Sequence, residues 1–323
     1  MRNLGNTWAI VLAGGEGSRL HSLTTTSSGV AVPKQFCSLR GGQSLMVEAL
    51  KRAESVAAAD RICPVVSERH RCWWEPALSH LPRANVIVQP DNRGTAIGIL
   101  LPLLYVLHRD PEARVVLLPS DHHIREEHIL AAAMQASARE LVERRDHILL
   151  IGIAPDEADP ELGYIVPGIG DRTTSMVDRF VEKPNRLSAR SLVDGGALWN
   201  TFIVAASGAA LLRLFVNRMP LVVALLEAAV AQSPDPIDPS QAMFDAYTKL
   251  PIVDFSREVL QGAEPMLRVM EAARCGWSDL GTPRRLAQTL KRLPPTCHSS
   301  DYSLDALAGI LNLAAQAARL RTA

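Results

Sequence analysis

The chain has 323 residues, of which 47% are hydrophobic and 21% are charged, the composition of a globular protein with a sizeable core. Its 34 basic and 34 acidic residues cancel, so the formal net charge is zero. This balance argues against a surface that binds nucleic acids or membranes through a general excess of positive charge. An anionic ligand would therefore have to be held by local geometry.

The five cysteines are odd in number and scattered, and they form neither a C-x-x-C pair nor a zinc-binding spacing. Such cysteines are typical of reduced, packed thiols, so we expect a cytoplasmic protein. No uncharged apolar run is long enough to span a bilayer, and the first residues lack the basic and apolar segments of a signal peptide. We therefore expect neither a membrane nor a nucleic acid as a partner.

The first predicted element is a strand over the apolar run Trp8–Ala13, followed by a glycine-rich loop. The loop has three glycines within four positions, Gly14, Gly15 and Gly17. Glycines allow a sharp turn and let a ligand approach the exposed backbone N–H groups. Because Arg19 and Lys34 follow this loop, the segment suits a polyphosphate.

Two common nucleotide-binding loops do not match this segment. The dinucleotide fingerprint G-x-G-x-x-G needs a small residue where Leu20 stands. The P-loop ends in a Gly-Lys pair, and the chain contains no such pair. A plain glycine turn between a strand and a helix is the structural alternative.

Strand-like and helix-like stretches alternate through the first half of the chain. Further strands are predicted at residues 61–66, 86–89, 115–118 and 147–153, and helices at residues 45–59, 95–108 and 126–143. This alternation predicts an α/β domain with a mostly parallel, doubly wound, Rossmann-like sheet that is covered by helices on both faces. Ligands of such sheets bind beyond the carboxyl ends of the strands, where the glycine-rich loop and Asp121 would both lie.

The second half of the chain is less regular. Strands are predicted at residues 163–165, 177–181 and 197–205, and helices at residues 209–217 and 221–232. A proline-containing loop begins at residue 291 and separates the body, residues 1–290, from the alanine- and leucine-rich amphipathic stretch Leu304–Leu320. We expect residues 291–323 to be a small helical appendage that docks on the body or on a partner subunit, which leaves a homodimer open.

Asp121 follows a predicted buried strand directly. A carboxylate in this position is well placed to hold Mg²⁺, which prefers one or two carboxylates together with phosphate oxygens. The alternative is that Asp121 caps the helix that follows. His122 and His123 come next, but neighbours on an extended chain point to opposite sides, which argues against zinc.

Three further segments carry polar residues at the ends of predicted elements, and each has a plain structural alternative. Asp279 stands between a tryptophan and a Gly-Thr-Pro turn, a common position for an aspartate. Thr95 opens a predicted helix and would serve as its N-cap. Glu182 and Lys183 end a strand just before a proline, where an exposed ion pair is the simpler interpretation.

Taken together, these segments resemble the ordered motifs of the sugar-nucleotide pyrophosphorylases, a nucleotidyltransferase family, over roughly residues 7–290. The opening matches the family's L-A-G-G-x-G-x-R-L, and the later segments match G-[TN]-A, P-[SA]-D-H, V-E-K-P and W-x-D-[IL]-G-T. The run Pro33-Lys34-Gln35-Phe36 is similar to the mannose-1-phosphate guanylyltransferase branch. Two departures are a longer segment over residues 23–33 and W-N-T-F in place of the family's W-N-S-G.

The resemblance implies a role for each matching residue. The expected catalytic residues, at the triphosphate and at the sugar phosphate, are Arg19, Lys34 and Lys183. The residues expected to contact the nucleotide are Leu12, Ala13, Gly14, Gly15, Gly17, Ser18, Gln89, Gly94 and Thr95. The residues expected to contact the sugar are Gly163, Glu182 and Asn200. The expected ligands of Mg²⁺ or Mn²⁺ are Asp121 and Asp279.

The reaction that the resemblance implies is nucleotidyl transfer. GTP and a sugar 1-phosphate, with mannose 1-phosphate favoured, would give a GDP-sugar and pyrophosphate through in-line attack of the sugar phosphate on the α-phosphorus. The protein would contribute positioning and charge stabilisation. Two alternatives stay open: the same chemistry with another nucleotide or another sugar, such as manno-heptose 1-phosphate, and a non-catalytic regulatory subunit that binds a nucleotide sugar.

Overall fold

The computed structural model describes residues 5–26, 29–39 and 42–293. The strands are β1 (Thr7–Ala13), β2 (Ile62–Ser67), β3 (Ile87–Gln89), β4 (Arg114–Pro119), β5 (Ile148–Ile153), β6 (Gly163–Gly170), β7 (Ser175–Glu182), β8 (Leu198–Ser207) and β9 (Leu267–Ala272). They form one sheet in the order β3-β2-β1-β4-β8-β5-β9-β7-β6, and β6 also pairs with β8. The predicted α/β class is confirmed.

The strands of the first half pair in parallel, as predicted: β1 lies between β2 and β4, and β3 extends the sheet beyond β2. The second half is mixed. β8 runs antiparallel to both β4 and β5, β9 runs parallel to β5, and β6 and β7 form an antiparallel hairpin. Only residues 171–174 connect β6 to β7, and a connection that short allows antiparallel pairing but not a parallel crossover.

Helices cover both faces of the sheet. They are α1 (His21–Thr24), α2 (Leu45–Ala53), α3 (Arg71–Leu78), α4 (Gly94–Arg109), α5 (Glu127–Glu143), α6 (Arg186–Asp194), α7 (Gly208–Arg218), α8 (Pro220–Ala231), α9 (Gln241–Lys249) and α10 (Pro283–Arg292). The alternation of β1 supplies both faces: Trp8 and Ile10 pack with α4, α7 and α8, whereas Ala9 and Val11 pack with α2 and α5.

Several elements were not predicted from the sequence, namely α1, α3, α6, α9 and β9. The predicted helix Leu304–Leu320 lies outside the described residues. α10 ends at Arg292, so the body of the structure continues just past residue 290. Within the described ranges, no helix has the length and apolar character needed to cross a membrane.

The topology brings several loop segments to one edge of the sheet. β1 to β4 run in the same direction, and β5 joins them because both β4 and β5 are antiparallel to β8. β9 is parallel to β5, so its carboxyl end lies at this edge as well. The glycine-rich loop, Asp121 and Asp279 follow β1, β4 and β9 respectively, and they therefore meet at the same edge, where ligands of such sheets bind.

One buried ion pair ties α2 to α5. The side chain of Arg52 is 1% exposed, and its Nε and Nη2 atoms donate to the two carboxylate oxygens of Glu127 at 3.0 and 2.7 Å. The Glu127 side chain is 44% exposed, so its carboxylate can also be solvated by water. The buried guanidinium of Arg52 therefore needs this ion pair more than Glu127 does. A buried donor that loses its acceptor keeps its desolvation cost and gains nothing in return.

Glu127→Ala is expected to lower the free energy of unfolding by about 1–3 kcal/mol, because Arg52 would stay buried without its bidentate acceptor. The matched control is Glu126→Ala at the same end of α5, which removes an ion pair with Arg125 between half-exposed side chains 3.1 Å apart. That control should lose less than about 1 kcal/mol. Denaturant titration of the three proteins measures both values, and equal losses would contradict this account.

Candidate active site

A cavity of about 380 Å³ opens at the edge of the sheet described above. Its walls come from the loops after β1, β3 and β4 and from the segment 252–254. Most of the residues predicted to contact the nucleotide line it, namely Leu12, Ala13, Gly14, Gly15, Gly17, Gln89, Gly94 and Thr95. The predicted metal ligand Asp121 lines it as well. The side chain of Ser18 lies outside the described part of the structure.

The glycine-rich loop is held in place by a buried amide that the sequence analysis did not single out. Gln35 is 2% exposed, and its Nε2 donates to the carbonyl oxygens of Ala13 and Gly15 at 2.8 and 2.9 Å. These two bonds fix the carbonyl groups on the protein side of the loop. The sequence gives only a weak indication of this role, namely the position of Gln35 directly after Lys34 in the run Pro33-Lys34-Gln35-Phe36.

The opposite wall is formed by the start of α4 and the chain that packs on it. Gly94 has φ of +82°, and a Cβ there would collide with the carbonyl oxygen of Val253, so the position requires glycine. The Thr95 hydroxyl accepts a hydrogen bond from the Phe255 N–H at 2.8 Å and does not cap the helix, which has Arg93 at its N-cap. Thr95 therefore fastens the cavity wall to residues 253–255.

Lys34 connects the two acidic segments. Its side chain is 7% exposed, and its Nζ lies 3.0 Å from Oδ2 of Asp121 and donates to the backbone carbonyl oxygen of Asp279. Burial is the largest single effect and would raise the pKa of Asp121, but neighbouring charges, first the Lys34 ammonium, and hydrogen bonds to the carboxylate together lower the pKa below its ordinary value. The structure thus brings together the segments of both predicted metal ligands, although they lie far apart in sequence.

The Asp279 carboxylate is held by an arginine that the sequence analysis missed. Nε of Arg285 lies 2.6 Å from Oδ1 of Asp279, and Nη1 lies 3.2 Å from Oδ2 of Asp159. The guanidinium lies over the rings of Trp199 and Trp277, at 4.8 and 5.6 Å from their centroids. Arg285 therefore orients Asp279 within an aromatic enclosure.

The donor set fits a magnesium or manganese ion that is completed by phosphate. Oδ2 of Asp121 faces Lys34 and Oδ1 of Asp279 faces Arg285, while Oδ1 of Asp121 lies 3.8 Å from Nε2 of His122, so each carboxylate keeps one oxygen outside its pair with Lys34 or Arg285. Hard divalent cations take one or two carboxylates and complete their shell with phosphate oxygens and water. Across residues 5–26, 29–39 and 42–293, no group of three or more His, Cys, Asp or Glu side chains forms a metal cage by itself.

The two histidines after Asp121 make contacts within the protein. The Trp277 Nε1–H donates to Nδ1 of His122 at 3.2 Å, and burial lowers the pKa of His122 to about 4. The ring is therefore neutral near pH 7 and its Nδ1 is occupied. His123 pairs through its backbone with Ser278, which joins the segment after β4 to the segment after β9.

The residues predicted to contact the sugar converge beside the cavity. Gly163 is the register partner of Glu182, and a Cβ on Gly163 would lie 2.5 Å from Oε2 of Glu182 and 3.4 Å from Cβ of Asn200. Burial raises the pKa of Glu182 above its ordinary value, and Lys183 offsets part of that rise. Lys183 has φ of +46°, and its Nζ lies 3.6 Å from Oε1 of Glu182.

Arg19 is placed at the rim and not inside the cavity. Its Nη1 lies 3.1 Å from Oε2 of Glu161, and both side chains are at least half exposed. This pair joins the glycine-rich loop to the segment that leads into β6. The structure therefore separates Arg19 from Lys34, which the sequence analysis treated as equivalent cations at the triphosphate.

Comparison with known proteins agrees with this architecture. The nucleotidyl transferase family model matches residues 8–294. The chain is 29% identical over 278 residues to the xanthan biosynthesis protein XanB of Xanthomonas campestris pv. campestris, which covers 84% of this chain and 57% of that protein. It is 29% identical over 286 residues to the mannose-1-phosphate guanylyltransferase ManC of Salmonella typhimurium, covering 85% of this chain and 58% of that protein.

A solved structure from Thermus thermophilus, described as a mannose-1-phosphate geranyltransferase, matches with a TM-score of 0.73 and 25% identity, covering 90% of this chain and 80% of that one. The chain spans 57–58% of the length of the two curated relatives above. The family match extends from β1 to the end of α10 and includes every segment that lines the cavity. The chain therefore belongs to the nucleotidyl transferase family.

Proposed function

We propose that this chain joins GTP to mannose 1-phosphate and gives a GDP-sugar and pyrophosphate. The observation that supports the proposal is the contact of Lys34 with the Asp121 carboxylate and with the backbone carbonyl oxygen of Asp279. A buried cation and two carboxylates next to exposed N–H groups suit phosphoryl-type transfer, in which positioning and charge stabilisation supply the rate. The name of the relative from Salmonella typhimurium supports this choice of substrates.

The cavity is proposed to hold the nucleotide. The glycine-rich loop, fixed on its carbonyl side by Gln35, would present its N–H groups to the phosphates. Gln89, Gly94 and Thr95 on the opposite wall would contact the base. Lys34 and, from the rim, Arg19 would offset the charge of the triphosphate.

The cluster of Gly163, Glu182 and Asn200 is proposed to hold the sugar. Glu182 is nearly buried, with 9% of its side chain exposed, so a sugar hydroxyl that donates to it would replace lost water. Lys183 would bind the attacking phosphate and reduce its repulsion with the triphosphate. The sugar phosphate oxygen would then attack the α-phosphorus in line, and no covalent nucleophile of the protein is needed.

Asp121 and Asp279 are proposed to hold Mg²⁺ or Mn²⁺, since each keeps one carboxylate oxygen outside its ion pair. Such an ion would bridge phosphate oxygens and neutralise their charge. The buried free thiols Cys63 and Cys275 support a location in the reducing cytoplasm. A homodimer through residues 291–323 stays a prediction, because nearly all of that segment lies outside the described residues.

The function is tested by measuring pyrophosphate release over a grid of the four nucleoside triphosphates and several sugar 1-phosphates, including mannose and manno-heptose 1-phosphate. We expect the highest kcat/KM with GTP and mannose 1-phosphate. A higher kcat/KM with another pair would keep the chemistry and change the substrate. Absence of release with every pair would favour the non-catalytic, nucleotide-sugar-binding alternative.

Activity is expected to require Mg²⁺ or Mn²⁺ and to disappear on chelation. The physical reason is that carboxylates and phosphate oxygens, without thiolates, form a ligand set for hard cations. Turnover is measured after exhaustive chelation and again after each metal is added back. Full activity without a divalent ion, or recovery with zinc alone, would show that Asp121 and Asp279 do not act as proposed.

Lys183→Ala and Asp279→Asn are expected to separate the two substrates. Lys183 would contact only the attacking phosphate, so its loss should raise the KM for mannose 1-phosphate and leave binding of Mg·GTP nearly unchanged. Asp279→Asn removes charge at the metal that both substrates share, so kcat should fall roughly 10²–10³-fold. Arg285 keeps Asp159 as a partner in that variant, which favours retention of the fold.

Steady-state kinetics together with calorimetric titration of Mg·GTP decide this prediction. Lys249→Ala at the exposed end of α9 is the control for loss of a surface lysine that does not line the cavity, and it should behave as the wild type. Loss of GTP binding in Lys183→Ala with normal sugar kinetics would move Lys183 to the nucleotide side.

A further inference from the structure

Strand β8 carries a bulge where it passes the cavity. Leu150 of β5 pairs with Val204, whereas Gly152 pairs with Asn200, so three residues of β8 stand opposite the single residue Ile151. A β-bulge bends its strand and changes the direction of a side chain, and bulges are common next to active sites. Here the residue at the centre of the bulge is Phe202.

The bulge is specified by the side chains on either side of it. Oδ1 of Asn200 accepts a hydrogen bond from the Phe202 N–H at 3.1 Å. The Thr201 hydroxyl donates to the carbonyl oxygen of Ile151 at 2.7 Å and accepts from the Ile203 N–H at 3.3 Å. These bonds satisfy backbone groups that the interrupted ladder would leave unpaired, so the bulge is a built feature of the strand.

Phe202 occupies this position against its own conformational preference. Its φ is +61°, in the left-handed region that a bulky side chain rarely adopts. Glycine, which stands here in the family motif W-N-S-G, would adopt it without strain. Strained residues of this kind persist where surrounding structure holds them, and they concentrate at ligand-binding positions.

The Phe202 side chain forms part of the wall of the main cavity. Its ring packs edge-to-face on Phe255, with centroids 6.1 Å apart, and Phe255 is the residue whose N–H bonds to Thr95. On the other side, Asn200 is two residues away and belongs to the sugar cluster. Phe202 therefore stands between the wall proposed to contact the base and the cluster proposed to contact the sugar.

We propose that Phe202 determines sugar specificity: its ring packs against the carbon face of the uncharged sugar ring of a hexose 1-phosphate and limits the size of the sugar that fits. This inference rests on the proposed function. An aromatic ring offers apolar contact area and no hydrogen bond, so it favours the C–H face of a pyranose. The same ring takes up the volume that a bulkier N-acetylhexosamine would need.

The test compares Phe202→Gly and Phe202→Leu with the wild type, using GTP with mannose 1-phosphate and GTP with N-acetylglucosamine 1-phosphate. In Phe202→Gly the KM for mannose 1-phosphate should rise roughly ten-fold or more, because even one methylene in an apolar pocket contributes roughly 10–200-fold to discrimination. The preference for mannose 1-phosphate over the larger sugar should fall by a similar factor. Phe202→Leu should be intermediate, and the Kd for Mg·GTP should stay within about two-fold in both variants.

The matched control is Phe215→Leu. Phe215 also packs on Phe255, with ring centroids 5.7 Å apart, is fully buried and does not line the cavity. It should lower Tm through lost packing and leave the sugar preference unchanged. If Phe215→Leu and Phe202→Leu alter KM and Tm alike, Phe202 has only a structural role, and the proposal is overturned.

Two further outcomes separate this proposal from the proposed function. If Phe202→Gly weakens Mg·GTP binding and leaves sugar kinetics normal, Phe202 belongs to the nucleotide side. If the wild type shows no turnover with any pair, the proposed function fails, and calorimetric titration with mannose 1-phosphate and N-acetylglucosamine 1-phosphate tests Phe202 directly. Equal affinities of wild type and Phe202→Gly for both sugars would then overturn the inference.

Discussion

The arrangement of this site depends on the buried ammonium group of Lys34. It lies 87 residues from Asp121 and 245 residues from Asp279 in sequence, and it contacts both. A buried cation is stable only when it is paired and hydrogen-bonded, so the glycine-rich loop and the segments after β4 and β9 must close around it together. Folding of this sheet edge therefore also assembles the proposed phosphate site.

The sequence was sufficient to predict strands β1 to β4, because each is a short apolar run bounded by polar residues. β9 escaped prediction since Arg268 and Glu271 interrupt its apolar pattern. Arg268 is nevertheless buried, and it is satisfied by Asp171 and Thr174, nearly a hundred residues earlier. A pattern within a short window cannot register a partner at that separation, and the mixed second half of the sheet depends on such contacts.

For the same reason, only some residues of the candidate site could be predicted from the sequence. Motifs on single loops identified the residues around the cavity, because a glycine-rich turn or an aspartate after a strand has a local signature. Gln35, Arg285 and Phe202 were not assigned roles, because the role of each depends on contacts with residues that lie far away in the sequence. Arg285, for example, depends on Asp159, 126 residues away, and on two tryptophans from different segments.

Strain in the backbone is concentrated beside the residues proposed to contact substrates. In the described part of the chain, the non-glycine residues with positive φ are Lys183, Phe202 and Leu280, and Leu280 follows Asp279 directly. Each such residue costs about 1–3 kcal/mol, against a typical total stability of about 5–15 kcal/mol. A lineage that retains these strained residues can therefore accept fewer destabilising mutations elsewhere before the protein unfolds.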